Sequence, residues 1–215
     1  VRIQTMLPPP RLPSSPNPLF EAAFGPELEA GDYLIKLIKG KDTLSTKLTI
    51  NNNPDVNHSA ADRQLRRESL LKAYNLLEEL AYVDYQAMEI RKQTLALADS
   101  VKNKGLRANS FKYADKMAVM HEKISATQPG EGGVAGQIRL REKIAEVYSA
   151  IGSYEGKPTD LQLAALSVYV DAVKAMQSEL DTLIKGDLAN YNAGIVRAGL
   201  QPVKVSDKAT FMQSK

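Results

Sequence analysis

The chain has 215 residues, 43% of them hydrophobic, with 28 basic residues against 25 acidic ones and a formal net charge of +3. So even a balance argues against nucleic acid as a partner, and no apolar run approaches the roughly 18 residues that a membrane span requires. With no cysteine there are no disulfides and no thiolate metal sites, and the redox compartment stays open. The length suits one elongated domain, or a large domain with a small one. Val1–Thr5 lacks an initiating methionine, a basic lead and a long apolar core, so it does not read as a signal peptide; part of a longer polypeptide is the favoured reading.

Residues 1–28 hold seven of the eleven prolines, at positions 8, 9, 10, 13, 16, 18 and 26. Proline fixes φ and lacks a backbone donor, so this segment is expected to be an extended arm laid across another surface. Residues 29–54 change character. Tyr33, Ile35 and Leu37 alternate along one run, and Leu44, Leu48 and Ile50 share one face of the next. Lys39-Gly40-Lys41-Asp42 lies between them, which together predicts a β-hairpin over 31–50. Two strands are marginal in water and leave open edges. A third strand is therefore expected from the arm, from an upstream segment or from another molecule, making the hairpin part of an incomplete sandwich.

Residues 55–200 read as a helical bundle. Asn51–Asp55 breaks the strand, and Ser59 with Asp62 resembles a capping box. From Ser59 to about Lys104 there is no proline or glycine. Ala73, Leu76, Leu80, Val83, Ala87, Ile90, Thr94, Leu97 and Val101 advance by alternating threes and fours. Such a seam predicts one long helix, roughly 65–70 Å at 1.5 Å per residue. Leu70, Leu77, Met88 and Leu95 widen its stripe beyond a two-stranded coiled coil. A second helix is expected over 109–127, with Tyr113, Met117, Met120 and Ile124 inward, and a third over 134–152 with Leu140, Ile144, Val147 and Ile151. Pro158 and the box Thr159…Gln162 start a fourth, whose stripe runs from Leu163 through Val173, Gln177 and Leu180 to Ile195 before Gly199.

The fold class is thus mainly α: an elongated four-helix up-down bundle of two long and two short helices, with the hairpin at its N-terminal side and a tail over 201–215. The short helices are expected to cover only the distal halves of the long ones. That leaves 59–78 and 182–198 as a two-helix stalk to be covered by the hairpin and the tail.

Chemistry is sparse. Gly130-Glu131-Gly132 and onward spells G-x-G-x-x-A, but it follows a helix and Pro129 instead of a strand, so it reads as a connector. His58 and His121 are the only histidines, and neither has metal-ligand spacing around it. Glu78-Glu79 falls on the wet face, and Arg63, Arg66 and Arg67 read as solvated or paired with Glu68. Gln177 is expected to pair with a buried polar partner such as Thr94. No nucleophile–base pair stands out. No catalytic, cofactor or metal-binding residue is assigned, and no cofactor is expected.

At both ends of the bundle the chain resembles a known family. Ala30-Gly31-Asp32-Tyr33, Leu37, Gly40, Leu48-Thr49-Ile50, Asn53-Pro54-Asp55 and Ser59…Asp62 match its hairpin-to-helix join. Asp187-Leu188-Ala189-Asn190-Tyr191-Asn192 and Ala198-Gly199-Leu200-Gln201-Pro202-Val203 match its closing motif. The family is the bacterial secreted sortilin-type, BNR (Asp-box) β-propeller proteins, commonly labelled glycosyl hydrolases, and the likeness concerns their C-terminal region. It covers roughly residues 20–205; the helices match by pattern only. Asp boxes end in tryptophan and this chain has none, so the propeller blades lie elsewhere and the hydrolase label does not transfer to these residues.

The resemblance implies a non-enzymatic interaction or scaffold module in the periplasm or on the surface of a Gram-negative bacterium. Its partner would be a protein, either the upstream propeller or sandwich of the same polypeptide or another subunit. The alternative is an accessory fragment of a carbohydrate-active enzyme with its catalytic residues outside this chain, and then a glycan is a partner too. A Bacteroidota origin would add a modification, since Asp42-Thr43-Leu44, Asp99-Ser100-Val101 and Asp181-Thr182-Leu183 resemble acceptor motifs for O-glycans. The candidate O-glycosylation sites are Thr43, then Ser100, then Thr182.

Overall fold

A computed structural model describes residues 5–130 and 137–214. The fold is mainly α with one small antiparallel hairpin, as expected. β1 (Gly31–Lys39) pairs with β2 (Asp42–Ile50), and the helices are α1 (Ala60–Ser100), α2 (Lys104–Ile124), α3 (Leu140–Gly152) and α4 (Asp160–Leu183). α4 runs on through a π turn (Ile184–Leu188) into α5 (Ala189–Arg197), and a short α6 (Lys208–Gln213) ends the chain.

α1 is the axis of the molecule. Its 41 residues begin at Ser59, whose Oγ accepts from the Asp62 backbone, and the seam from Ala73 through Leu80, Ala87 and Ile90 to Val101 is buried. The inward residues of α2 (Tyr113, Met117, Met120, Ile124) and Ile144 and Ile151 of α3 are buried against it. Thr159 and Gln162 form the capping box of α4, and the stripe continues through the π turn as buried Leu188, Tyr191 and Ile195. α1 stops at Ser100, short of Gly105, because Asn103 caps α2 by accepting from the Leu106 backbone; Gly105 lies in the first turn of α2.

The two short helices are not side by side. α2 descends from the far end of α1 until Asp84 meets His121, and α3 then continues in the same direction, with Gly152 against Leu70 and Arg66 reaching the carbonyls at its C-terminal end. α4 and α5 climb back past both, from Tyr169 opposite Glu146 to Glu179 opposite Lys123 and Tyr191 against Ser110. The four helices therefore fill three positions in cross-section. The expected two-helix stalk of 59–78 with 182–198 does not exist. The end of α3 packs on α1 at Arg66 and Leu70, and 182–198 lies at the other end of the bundle, where Tyr191 and Asp187 meet Ser110, Tyr113 and Lys116 of α2.

The junction between α2 and α3 is covered by the proline-rich arm. Ser15 Oγ donates to the Ala126 carbonyl (2.8 Å), Asn17 Nδ2 to the Gln128 carbonyl (3.0 Å), and Asn17 Oδ1 accepts from the Gly130 backbone (2.7 Å). Buried Arg141 donates to the Asn17 carbonyl at 3.1 Å. Prolines 10 and 13 are buried in this crossing. The arm then folds back on itself, Leu7 donating to the Pro26 carbonyl (2.8 Å) and Leu28 to that of Thr5 (2.9 Å). Gly25 sits at the crossing, where a Cβ would lie 2.0 Å from the Leu7 carbonyl oxygen. On another face of α1 the tail descends from Val203, exchanging bonds between Gln93 and Lys204, to Phe211, which lies between Tyr82 and Tyr85 with the Arg11 guanidinium over its ring at 5.3 Å.

Three further expectations are corrected. Gln177 donates to Asp181 (2.9 Å) and Thr94 to the Ile90 carbonyl (2.6 Å), so each polar group is satisfied within its own helix and they do not pair. The arginine cluster is structural, with Arg63 on the His58 carbonyl, Arg66 on the α3 end and Arg67 on Glu29 at 2.8 Å. Among the described residues the arm adds no strand to the hairpin. It contributes one isolated bridge between Met6 and Glu27, and the sheet has two strands.

Candidate functional site

The register pairs Tyr33 with Leu48, Leu37 with Leu44 and Lys39 with Asp42. The loop is thus Gly40-Lys41, and Gly40 has φ of 62°, as the first loop residue of a type II′ turn requires. Alternation sets Tyr33, Ile35, Leu37, Leu44, Leu48 and Ile50 on one face. Nothing among the described residues packs over the outer part of that face. Leu37 is 58% exposed, Leu44 70% and, on the other face, Ile38 69%. Lys39, Lys41 and Asp42 stand beside these three, with Asp42 opposite Lys39, so the tip is apolar with a net positive charge of one.

The hairpin leaves the bundle where Glu29 meets Arg67, and a second feature lies beside that point. The arm's single 3-10 turn (Phe20–Ala22) inserts buried Ala22 against α3 and leaves Phe20 and Phe24 exposed, at 74% and 70%. They line a cleft of about 240 Å³ with Arg66, Leu70 and Tyr148 behind them. Tyr148 donates to the Phe24 carbonyl at 2.7 Å, and burial pushes its phenol up to about 12, so it stays a neutral donor. Arg66 is engaged with the carbonyls of Ile151, Gly152 and Tyr154. Glu21 and Glu27 also line the cleft, and neither forms an ion pair among the described residues. The cleft is therefore apolar with an acidic rim.

Midway along the bundle lies the group most like a catalytic one. His121 Nδ1 meets Asp84 Oδ1 at 2.6 Å, and Asp84 Oδ2 accepts from the Ser14 backbone (3.0 Å) and hydroxyl (3.3 Å). The Asp84 hydrogen bond raises the imidazole above its usual 6.5, against the opposing effect of burial. Serine bonds the aspartate here, not the histidine, so the imidazole does not face the hydroxyl as in a nucleophile–base pair, and the group works as a latch for the arm. A second recess of about 240 Å³ lies at the π turn, where Lys116 pairs with Asp187 and Tyr113 stacks on Tyr191. Among the described residues no group of three or more His, Asp or Glu is placed to hold a metal, and no helix is long and apolar enough to cross a membrane.

All three candidate acceptor hydroxyls are on exposed residues. Thr43 follows the hairpin turn opposite Ile38, Ser100 donates to the Ala96 carbonyl (3.2 Å) and Thr182 to that of Ser178 (2.8 Å). The glycine-rich stretch after Gly130 lies outside the described residues. Sequence reasoning missed the Phe20–Phe24 cleft and the Asp84–His121 latch. Two phenylalanines four residues apart among prolines carried a weak signal for the first, and nothing local carried one for the second. Compared with family models, curated proteins and solved structures, the chain matches none of them.

Proposed function

We propose that this chain is a non-enzymatic interaction or scaffold module, the C-terminal part of a larger secreted propeller protein, docking through its hairpin end on its own propeller or on another protein. The observation that carries the reading is the two-stranded hairpin, whose apolar tip and free edges stand open at the same end of the bundle as the exposed pair Phe20 and Phe24. Open strand edges with an apolar face are the usual substrate for strand addition by a partner. The extracytoplasmic setting follows the family resemblance and belongs to the same proposal.

A photo-crosslinking amino acid placed at Leu44 or Phe24 in the native host tests it. One protein species should be captured from both positions, and none from Val196 at the opposite end. Capture of nothing, or equal capture from both ends, refutes docking through the hairpin end. The accessory reading draws support from aromatic rings beside carboxylates at the cleft, a combination suited to sugars. A shift of Phe24-region amide signals with a neutral oligosaccharide, and no protein adduct, would favour it. A sugar on Thr43 would shut the tip to proteins, so glycosylation and docking compete there; intact mass of native protein against Thr43→Ala decides.

A further inference from the structure

We infer that the hairpin tip of a second copy of this chain fills the Phe20–Phe24 cleft, reciprocally, in a closed two-fold dimer. This names the partner in the docking reading above and rests on it. The two unpartnered surfaces are complementary. The tip presents Leu37, Ile38 and Leu44 with the cations Lys39 and Lys41 against the single carboxylate Asp42. The cleft presents Phe20 and Phe24 with the carboxylates Glu21 and Glu27, its one cation Arg66 being turned to the carbonyls at the end of α3. A chain cannot satisfy itself. Nine-residue strands carry the tip about 30 Å from the Glu29–Arg67 base, whereas Arg66, the neighbour of Arg67, lines the cleft. Tip-to-tip pairing of hairpins alone is disfavoured, since Lys36, Lys39, Lys41 and Lys47 outnumber Asp32 and Asp42 on each. Because tip and cleft lie at one end of the same molecule, a single two-fold axis makes both contacts at once and leaves no free copy of either surface. The cleft volume of about 240 Å³ suits one or two aliphatic side chains between the rings.

Charge reversal in sedimentation equilibrium of the purified, unglycosylated chain is the test. The wild type should show a reversible monomer–dimer equilibrium that weakens as salt rises from about 50 to about 500 mM. Lys39→Glu with Lys41→Glu, and separately Glu21→Lys with Glu27→Lys, should each weaken dimerisation by roughly tenfold or more. Thermal unfolding should be unchanged at concentrations where the wild type is monomeric, because all four residues are exposed in the single chain. Mixing the two variants should restore a dimer, since each reversed tip then meets a reversed cleft. A chain monomeric at every concentration overturns the inference. So does a dimer indifferent to both reversals, or a mixture that stays monomeric. If crosslinking from Leu44 still captures one other protein while the chain is monomeric, the self-contact falls and the docking reading stands.

Discussion

The seam of α1 and the face of the hairpin are similarly apolar, and they have opposite fates. Ala73, Leu77, Leu80, Ala87 and Ile90 are buried under α2, α3, α4, the arm and the tail, whereas Leu37, Ile38 and Leu44 stay in water. The helix has 41 residues and packs against α2, α3, α4, the arm and the tail; among the described residues the hairpin end has one ion pair, Arg67–Glu29, at its root. Apolar pattern states what a segment needs covered. Whether the same chain supplies the cover depends on reach, and here the covering elements all lie along α1.

The comparison is sharpest where cavities form. Leu80→Ala should destabilise by about 2–5 kcal/mol, read from urea unfolding midpoints, because the site is walled on all sides and cannot collapse. Val173→Ala on α4 should cost less, roughly 1–2 kcal/mol, since fewer carbons are lost. Gly25→Ala tests the arm as part of the covered region. Its Cβ would meet the Leu7 carbonyl, so the arm must shift, and a loss of about 1–3 kcal/mol with faster proteolysis near residue 20 is expected. An unchanged cleavage rate would mean that the arm does not depend on that crossing.

The latch contributes a pH dependence. His121 titrates above 6.5 in the folded protein because Asp84 favours the imidazolium, with Glu122 adding to the effect and Arg91 opposing it. A folded-state value above the unfolded one means that this stabilisation is complete below about pH 6.5 and is lost as pH rises through the folded-state value. Melting temperature should therefore fall across that window, and His121→Gln should flatten the slope. In dilute solution, where the chain is monomeric, Leu44→Ser on the hairpin should produce the smallest effect, within about 0.5 kcal/mol, since it removes little surface buried within the chain. A loss near that of Leu80→Ala under the same dilute conditions would show that the hairpin is covered by its own chain and dissolve the contrast.

Local chemistry alone placed the hairpin and its turn, the caps at Ser59 and Thr159, and the inward stripes of all four helices. Each depends on residues within a few positions of one another, through strand alternation, helical period, glycine's access to positive φ and side-chain caps. Its hold on the boundary of α1 was weaker, because a glycine in a first turn reads like a stop until the Asn103 cap before it is seen. Tertiary structure decided that α2 and α3 stack in tandem, because the break between them is stabilised by bonds from Ser15 and Asn17 to Ala126, Gln128 and Arg141, more than a hundred positions away. It decided too that Asp84, His121 and Ser14 meet, and that the arm builds a cleft with Phe20 and Phe24 instead of a third strand. These pairings are set by which distant surfaces fit when the apolar stripes are buried together, and no periodicity in the sequence encodes that fit.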